Sequence, residues 1–243
     1  MKLHMYWLQV VWSVLILLAL WFAPAKRGQA RTSRYRFWWE LAITALIAWM
    51  LCCGGFFDAR AAEPPREALQ YRSEVIRSAR AEWGLSAPVA DFAAQLHQES
   101  HWRPGAVSPL GAQGLAQFMP ATADWISGLM PALTSREPFN PSWAIRALVS
   151  YDRWLWQRIS VDHPCERMAM TMSAYNGGLG WVNRDRRLAT RNGLDADTWF
   201  GSTELVNAGR SAAAWRENRH YPRRILHELA PRYLSWGGGI CVS

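Results

Sequence analysis

Glu99 closes the run Ser86-Ala87-Pro88-Val89-Ala90-Asp91-Phe92-Ala93-Ala94-Gln95-Leu96-His97-Gln98-Glu99-Ser100. Within it Val89, Phe92, Ala93, Leu96 and Ser100 recur at i, i+3, i+4 and i+7, the spacing of one helix face. Ser86 is placed to cap such a helix and Pro88 to occupy its first turn, so the pattern predicts a helix over 87–100. Glu99 then sits at the edge of the apolar face, in the last turn. A carboxyl there is partly desolvated and lies at the negative end of the helix dipole. Both effects raise its pKa, as a general acid working near neutral pH requires. Taken alone, the run describes an ordinary surface glutamate at a helix end better than a catalytic one.

Three later groups add to it. Residues 106–122 place Gly111 and Gly114 three apart, which implies a tight backbone passage. Ser108 stands before that passage, Gln117 and Met119 after it, and Pro120 opens another helix. Ala174-Tyr175-Asn176-Gly177-Gly178 reads as a helix end running into a turn, and Glu217-Asn218-Arg219-His220-Tyr221 opens a further helical run.

Glu99-Ser100, Ser108, Gly114-Leu115-Ala116-Gln117-Phe118-Met119-Pro120, Ala174-Tyr175-Asn176 and Glu217-Asn218-Arg219-His220-Tyr221, in that order over about residues 85–230, together resemble the soluble-lytic-transglycosylase domain of the goose-lysozyme-like murein lytic transglycosylases. The resemblance implies a mainly α, lysozyme-like catalytic domain with a long cleft. It implies cleavage of the MurNAc-GlcNAc β-1,4 bond of peptidoglycan with formation of 1,6-anhydro-MurNAc ends, and no cofactor or metal. Glu99 matches the sole catalytic acid/base. Ser108 matches a cleft serine near the carboxyl and the sugar, and Gln117 and Met119 match residues lining the sugar sites. Tyr175 and Asn176 match the third motif, with the tyrosine hydroxyl close to the carboxyl, and Tyr221 matches the fourth. The family more often has Thr where Asn218 stands and Val where Pro222 stands; these departures are expected to touch substrate contacts and not the acid.

Other chemistries compete. A lysozyme-like hydrolase needs a second carboxylate near the scissile bond, and Asp124, Glu137 and Asp152, the nearest acids after Glu99, sit in no motif. A zinc helix would use His97 and His101 at i and i+4, but there the glutamate directly follows the first histidine; here Gln98 intervenes, and no third ligand stands out. A catalytically inactive glycan-binding or assembly protein would most simply have lost Glu99.

The elements that position these residues read as helices at 66–83, 87–100, 121–128, 142–159, 164–175, 202–217 and 221–235, separated by Gly, Pro and Asn clusters. The expected organisation is a membrane anchor over 1–60, a linker and first helix over 61–84, a catalytic domain over 85–236 and a tail over 237–243. Residues 5–23 carry no charge, and a helix of that length rises about 28 Å, the thickness of a bilayer core. A second apolar run covers 41–57, flanked by Trp38 and Trp39, giving an anchor helix over about 38–57. Between the two, 24–36 holds five basic residues and no acidic one, which predicts a cytoplasmic loop in a transmembrane helical hairpin. The large domain then faces the periplasm from the bacterial inner membrane. A rival reading makes the second run an internal signal peptide, with Cys52-Cys53 as a lipidation site that lacks the small residues such sites favour. Both readings export the domain.

The formal charge of +8 belongs mostly to this anchor region. Residues 1–60 hold seven basic and two acidic side chains, a net of +5, which leaves +3 for the rest. That distribution argues against nucleic acid as the partner and suits an anionic polymer such as peptidoglycan. An anchored enzyme of this kind suits local wall opening within a secretion, conjugation or phage envelope-spanning complex. Cys165 and Cys241 fall in the exported part, where an oxidising compartment permits a disulfide.

Overall fold

Residues 63–241, with the single position Ile43, are described by the computed structural model. The apolar runs 5–23 and 41–57, the basic loop between them and Cys52-Cys53 lie outside the described residues. Among the described residues no helix is long and apolar enough to cross a membrane, and the only β pairing consists of two isolated bridges, Val107 with Gln113 and Gln113 with Phe118.

The helices are α1 (Arg66–Leu69), α2 (Arg72–Trp83), α3 (Val89–Ser100), α4 (Pro120–Leu129), α5 (Pro141–Arg158), α6 (Pro164–Gly177), α7 (Leu179–Arg191) and α8 (Ala212–Arg223). A π-helical turn, Arg224–Leu229, and a 3₁₀ turn, Ala230–Tyr233, follow α8 without a break. Helix α3 is the central rod. Val89, Ala90, Phe92, Ala93, Ala94 and Leu96 are buried, and so are Asp91 and Gln95, because α2, α5 and the two turns after α8 pack around it. Each large apolar side chain so enclosed contributes about 2 kcal/mol, and this fixes the helix that ends in Glu99.

Ser86 does not cap α3. Pro88 takes the cap position and offers no side-chain hydrogen bond. The C-terminal segment serves instead: Gly238 O accepts from Ala90 N at 3.0 Å, and Asp91 Oδ2 accepts from Ile240 N at 2.9 Å. The strap comes so close that a Cβ on Gly237 would stand 2.8 Å from Val89 side-chain atoms. Beyond it Cys241 is disulfide-bonded to Cys165, in the first turn of α6, with 4.9 Å between their Cα atoms.

The elements differ from the sequence reading in several places. The first helix, expected over 66–83, breaks at Gln70-Tyr71 into α1 and α2. Helix α7 falls between the expected helices 164–175 and 202–217; Gly177 and Gly178 precede it, Gly180 lies in its first turn, and the face it buries carries Asp185 between Val182 and Ala189. In the expected helix 202–217, an Asx turn intervenes. Asn207 Oδ1 accepts from the backbone N–H groups of Gly209 and Arg210, and α8 starts only after Ser211, whose hydroxyl caps it by accepting from Ala214 N. Helix α8 then runs through 217–221 unbroken, with Pro222 inside it and the π turn directly behind.

Candidate active site

Helix α3 stops immediately after Glu99-Ser100 because His101 and Trp102 both adopt left-handed backbone angles, φ 53° and 64°. Such a pair of non-glycine residues persists only where packing enforces it. Trp102 is buried, its indole N–H donates to the Tyr233 hydroxyl at 2.8 Å, and its ring lies against Tyr71, Tyr233 and Trp236. The chain turns away, leaving Glu99 partly open at the helix end.

The Glu99 carboxyl is pushed up to about 8. Burial is the main cause, the charge of Glu217 adds to it, and the hydrogen bond from Tyr221 works against it. At neutral pH the group therefore carries a proton. The Tyr221 hydroxyl donates to Glu99 Oε1. Tyr221 is itself buried near the end of α8.

Loop 105–119 carries Ser108, Gln117 and, at its end, Met119. Its two β bridges fold it back on itself, and Gly114 sits at φ 75° where a Cβ would fall 1.7 Å from Pro138 O. No other residue fits that passage. Gln117, also left-handed at φ 51°, uses its side-chain nitrogen inside the loop, donating to Gly114 O at 2.8 Å and Ala106 O at 3.1 Å. Ser108 Oγ accepts from Ala112 N at 3.0 Å. Both side chains thus shape the loop. Met119 is exposed, 43%, at the start of α4.

Helix α6 delivers Tyr175 and Asn176. The Tyr175 hydroxyl donates to Ala116 O at 2.7 Å, tying α6 to the loop. Burial holds the phenol well above its ordinary range, and the Glu99 charge adds to the effect. The hydroxyl that bonds directly to Glu99 comes from Tyr221. Asn176 is oriented from both sides: its Oδ1 accepts from Asn218 Nδ2 at 2.9 Å and its Nδ2 donates to Glu217 Oε1 at 3.4 Å.

Asn218 is buried and makes no contact a substrate could use. Its Nδ2 also donates to Ser173 O, and its Oδ1 accepts from Ser173 Oγ and from Arg219. Arg219 and Arg210 in turn share the carboxylate of fully buried Asp185. Asn218, expected to touch substrate, is instead enclosed in an internal network that positions Asn176. Pro222 is buried as well.

Glu217 was not singled out in the sequence, although it opens the fourth motif. It is exposed, and only the fold brings it beside Asn176 within electrostatic reach of Glu99. Asp152 also approaches, from α5. It is fully enclosed, and burial, with the charges of Glu99 and Asp91, holds its carboxyl well above the ordinary range against the opposing effect of neighbouring Gln95. Shut away from solvent, it is no candidate for activating water. His97 and His101 pack edge to face, and His97 Nδ1 is engaged by the Tyr233 hydroxyl at 2.8 Å. A separate hollow of about 610 Å³, lined among others by Glu74, Arg77, Glu82 and Arg146, contains none of the motif residues.

The model of the transglycosylase SLT domain matches residues 75–197, just over half of the chain. The chain belongs to the transglycosylase SLT domain family. Among relatives, it is 36% identical over 121 residues to the membrane-bound lytic murein transglycosylase F of Hahella chejuensis, covering 49% of this chain and 21% of that one. It is 35% identical over 127 residues to the protein of the same name from Maricaulis maris, covering 51% and 25%. The matched stretch thus spans about a fifth to a quarter of these relatives' own length. A solved complex of the 70-kDa soluble lytic transglycosylase with bulgecin A shares the fold at a TM-score of 0.53 and 24% identity, over 86% of this chain and 30% of that one. The SLT match ends before α8, so Glu217 and Tyr221 join the site through the fold and not through the matched segment.

Proposed function

We propose that this SLT-domain protein is a peptidoglycan lytic transglycosylase that cleaves the MurNAc-GlcNAc β-1,4 bond and leaves 1,6-anhydro-MurNAc ends. The observation that carries the reading is Glu99, a half-buried carboxyl at the end of α3 whose pKa is raised to about 8 while the Tyr221 hydroxyl, which favours its anion, donates to it. Protonated Glu99 donates to the glycosidic oxygen as the C1–O bond breaks, and the GlcNAc hydroxyl departs with that proton. Positive charge develops at the muramyl anomeric carbon. The Glu99 carboxylate then takes the proton of the muramyl C6 hydroxyl, whose oxygen bonds to C1. Glu99 ends the cycle protonated, and no water is consumed. The acid-then-base exchange parallels that of retaining glycosidases, with the nucleophile supplied by the substrate. Amide and hydroxyl dipoles such as those of Asn176, Tyr175 and the free amide oxygen of Gln117 favour the cationic transition state, and Ser108 and Met119 line the sugar path.

In this reading residues 1–60 anchor the domain to the inner membrane and the domain over 85–236 works in the periplasm, as the names of the membrane-bound relatives support. Local wall opening for an envelope-spanning complex fits such an anchor.

Glu217 sustains a second reading. It is an exposed carboxylate near Glu99, and a hydrolase would use it to activate water. Mass spectrometry of the muropeptides released from purified peptidoglycan separates the two. Ends lighter by one water establish the lytic reaction, and reducing ends establish hydrolysis.

A further inference from the structure

Of the ten tryptophans in the described residues, Trp125 on α4 alone is exposed, at 42%. A singly exposed aromatic is ordinary by itself; what distinguishes Trp125 is that it is held rigid by an aromatic cluster. Its ring meets Trp154 at 4.9 Å and 84° and Tyr151 at 5.8 Å and 77°, both edge to face. Trp154 is only partly buried, but the Arg158 guanidinium lies 3.6 Å over its ring, so it braces Trp125 and offers little surface of its own.

The brace is continuous with the site. Tyr151 touches Trp125 on one side and Tyr175 on the other, at 5.4 Å. Tyr175 is fixed on Ala116 O and senses the Glu99 charge. The row Tyr175, Tyr151, Trp125, with rings 5.4 and 5.8 Å apart, connects the exposed indole to the motif tyrosine beside Glu99, and Phe118 packs against both tyrosines. A rigid indole with two torsions loses little entropy on binding and gives a flat apolar surface with a polar edge. Such a surface suits the C–H face of a sugar ring.

We propose that Trp125, braced by Tyr151 and Trp154, is an outer saccharide platform that holds a pyranose of the glycan strand beyond the units bound next to Glu99. The inference rests on the glycan-cleaving reading. It assigns Trp125 to the length preference of the enzyme and not to bond cleavage.

The test is calorimetric binding of N-acetylglucosamine trimer and hexamer to the full-length chain in mild detergent, for wild type, Trp125→Ala and Trp125→Phe. The platform predicts about tenfold weaker hexamer binding by Trp125→Ala, the scale of one aromatic contact, with trimer binding unchanged and most of the loss restored by Trp125→Phe. Equal losses for both oligomers would assign Trp125 to the fold or the central subsites. Unchanged binding of both would remove it from glycan recognition, and an accompanying loss of phospholipid-vesicle binding would assign it to the membrane surface. Each of these results overturns the platform. Failure of the wild type to bind either oligomer would instead overturn the glycan-cleaving reading on which it rests.

Discussion

The Tyr221 hydroxyl, carried by the last turns of α8, donates to the carboxyl of Glu99 at the end of α3. This bond opposes the effect of burial, so it selectively favours the ionised form of Glu99. Tyr221→Phe should therefore move the alkaline limb of the activity profile to higher pH. It should also slow turnover by about tenfold, the scale of a hydrogen bond to a charged group. A pH profile of the variant checks both; a limb that moves to lower pH would contradict the assignment.

The raised carboxyls set the pH dependence of stability. Glu99 moves from 4.5 unfolded to about 8 folded, and Asp91 from 3.8 to about 7, both because burial disfavours their charge. The folded protein holds these protons where the unfolded chain releases them. Their stabilisation is complete below the unfolded values and is lost as pH rises through the folded ones. Glu99→Gln should gain on the wild type from about pH 4.5 upward and level off above pH 8, with a total gain on the order of 5 kcal/mol. Urea unfolding at pH 4.5, 6.5 and 9 measures this; a difference constant with pH would refute it.

Gly114 should tolerate no side chain. Its φ is positive and an added Cβ would overlap the Pro138 carbonyl. Gly114→Ala is expected to cost about 2–4 kcal/mol or more and to displace Gln117 and Met119. Gly128→Ala, in helix α4 with open space around it, should instead stabilise by roughly 0.5–1 kcal/mol. Thermal melts of both variants test the contrast.

The Cys165–Cys241 bond closes a separation of 76 residues and ends the strap that caps α3. Reduction is expected to destabilise the domain by about 4 kcal/mol and to speed amide exchange at Ala90 and Ile240, the two N–H groups bound between strap and helix. Hydrogen exchange with and without reductant reads this directly; unchanged protection at both amides would show that the strap holds without the bond.

The motifs of the sequence carry local chemistry, and there the reading was close. The 3.6-residue pattern locates α3 and puts Glu99 at its end, and the two glycines mark the loop passage. What the chain could not reveal lies in long-range contacts. Nothing near Ser86 indicates that the α3 terminus would be satisfied by Gly238. Helix α7 was hidden because its inward face carries Asp185, whose partners Arg210 and Arg219 come from later in the chain. Glu217 and Asp152 approach Glu99 only once the chain folds, with α5 packed on α3 and α8 packed on α6. Asn218 reads as a cleft residue from its motif, and only its burial shows that it acts on Asn176.

The most direct test of Glu99 as the proton donor is the pH dependence of anhydro-muropeptide release, wild type beside Glu99→Gln. The wild type should lose activity through an alkaline limb near pH 8, and the variant should release no anhydro product at any pH. Anhydro release that persists in Glu99→Gln, or wild-type products that end in reducing sugars, would contradict it.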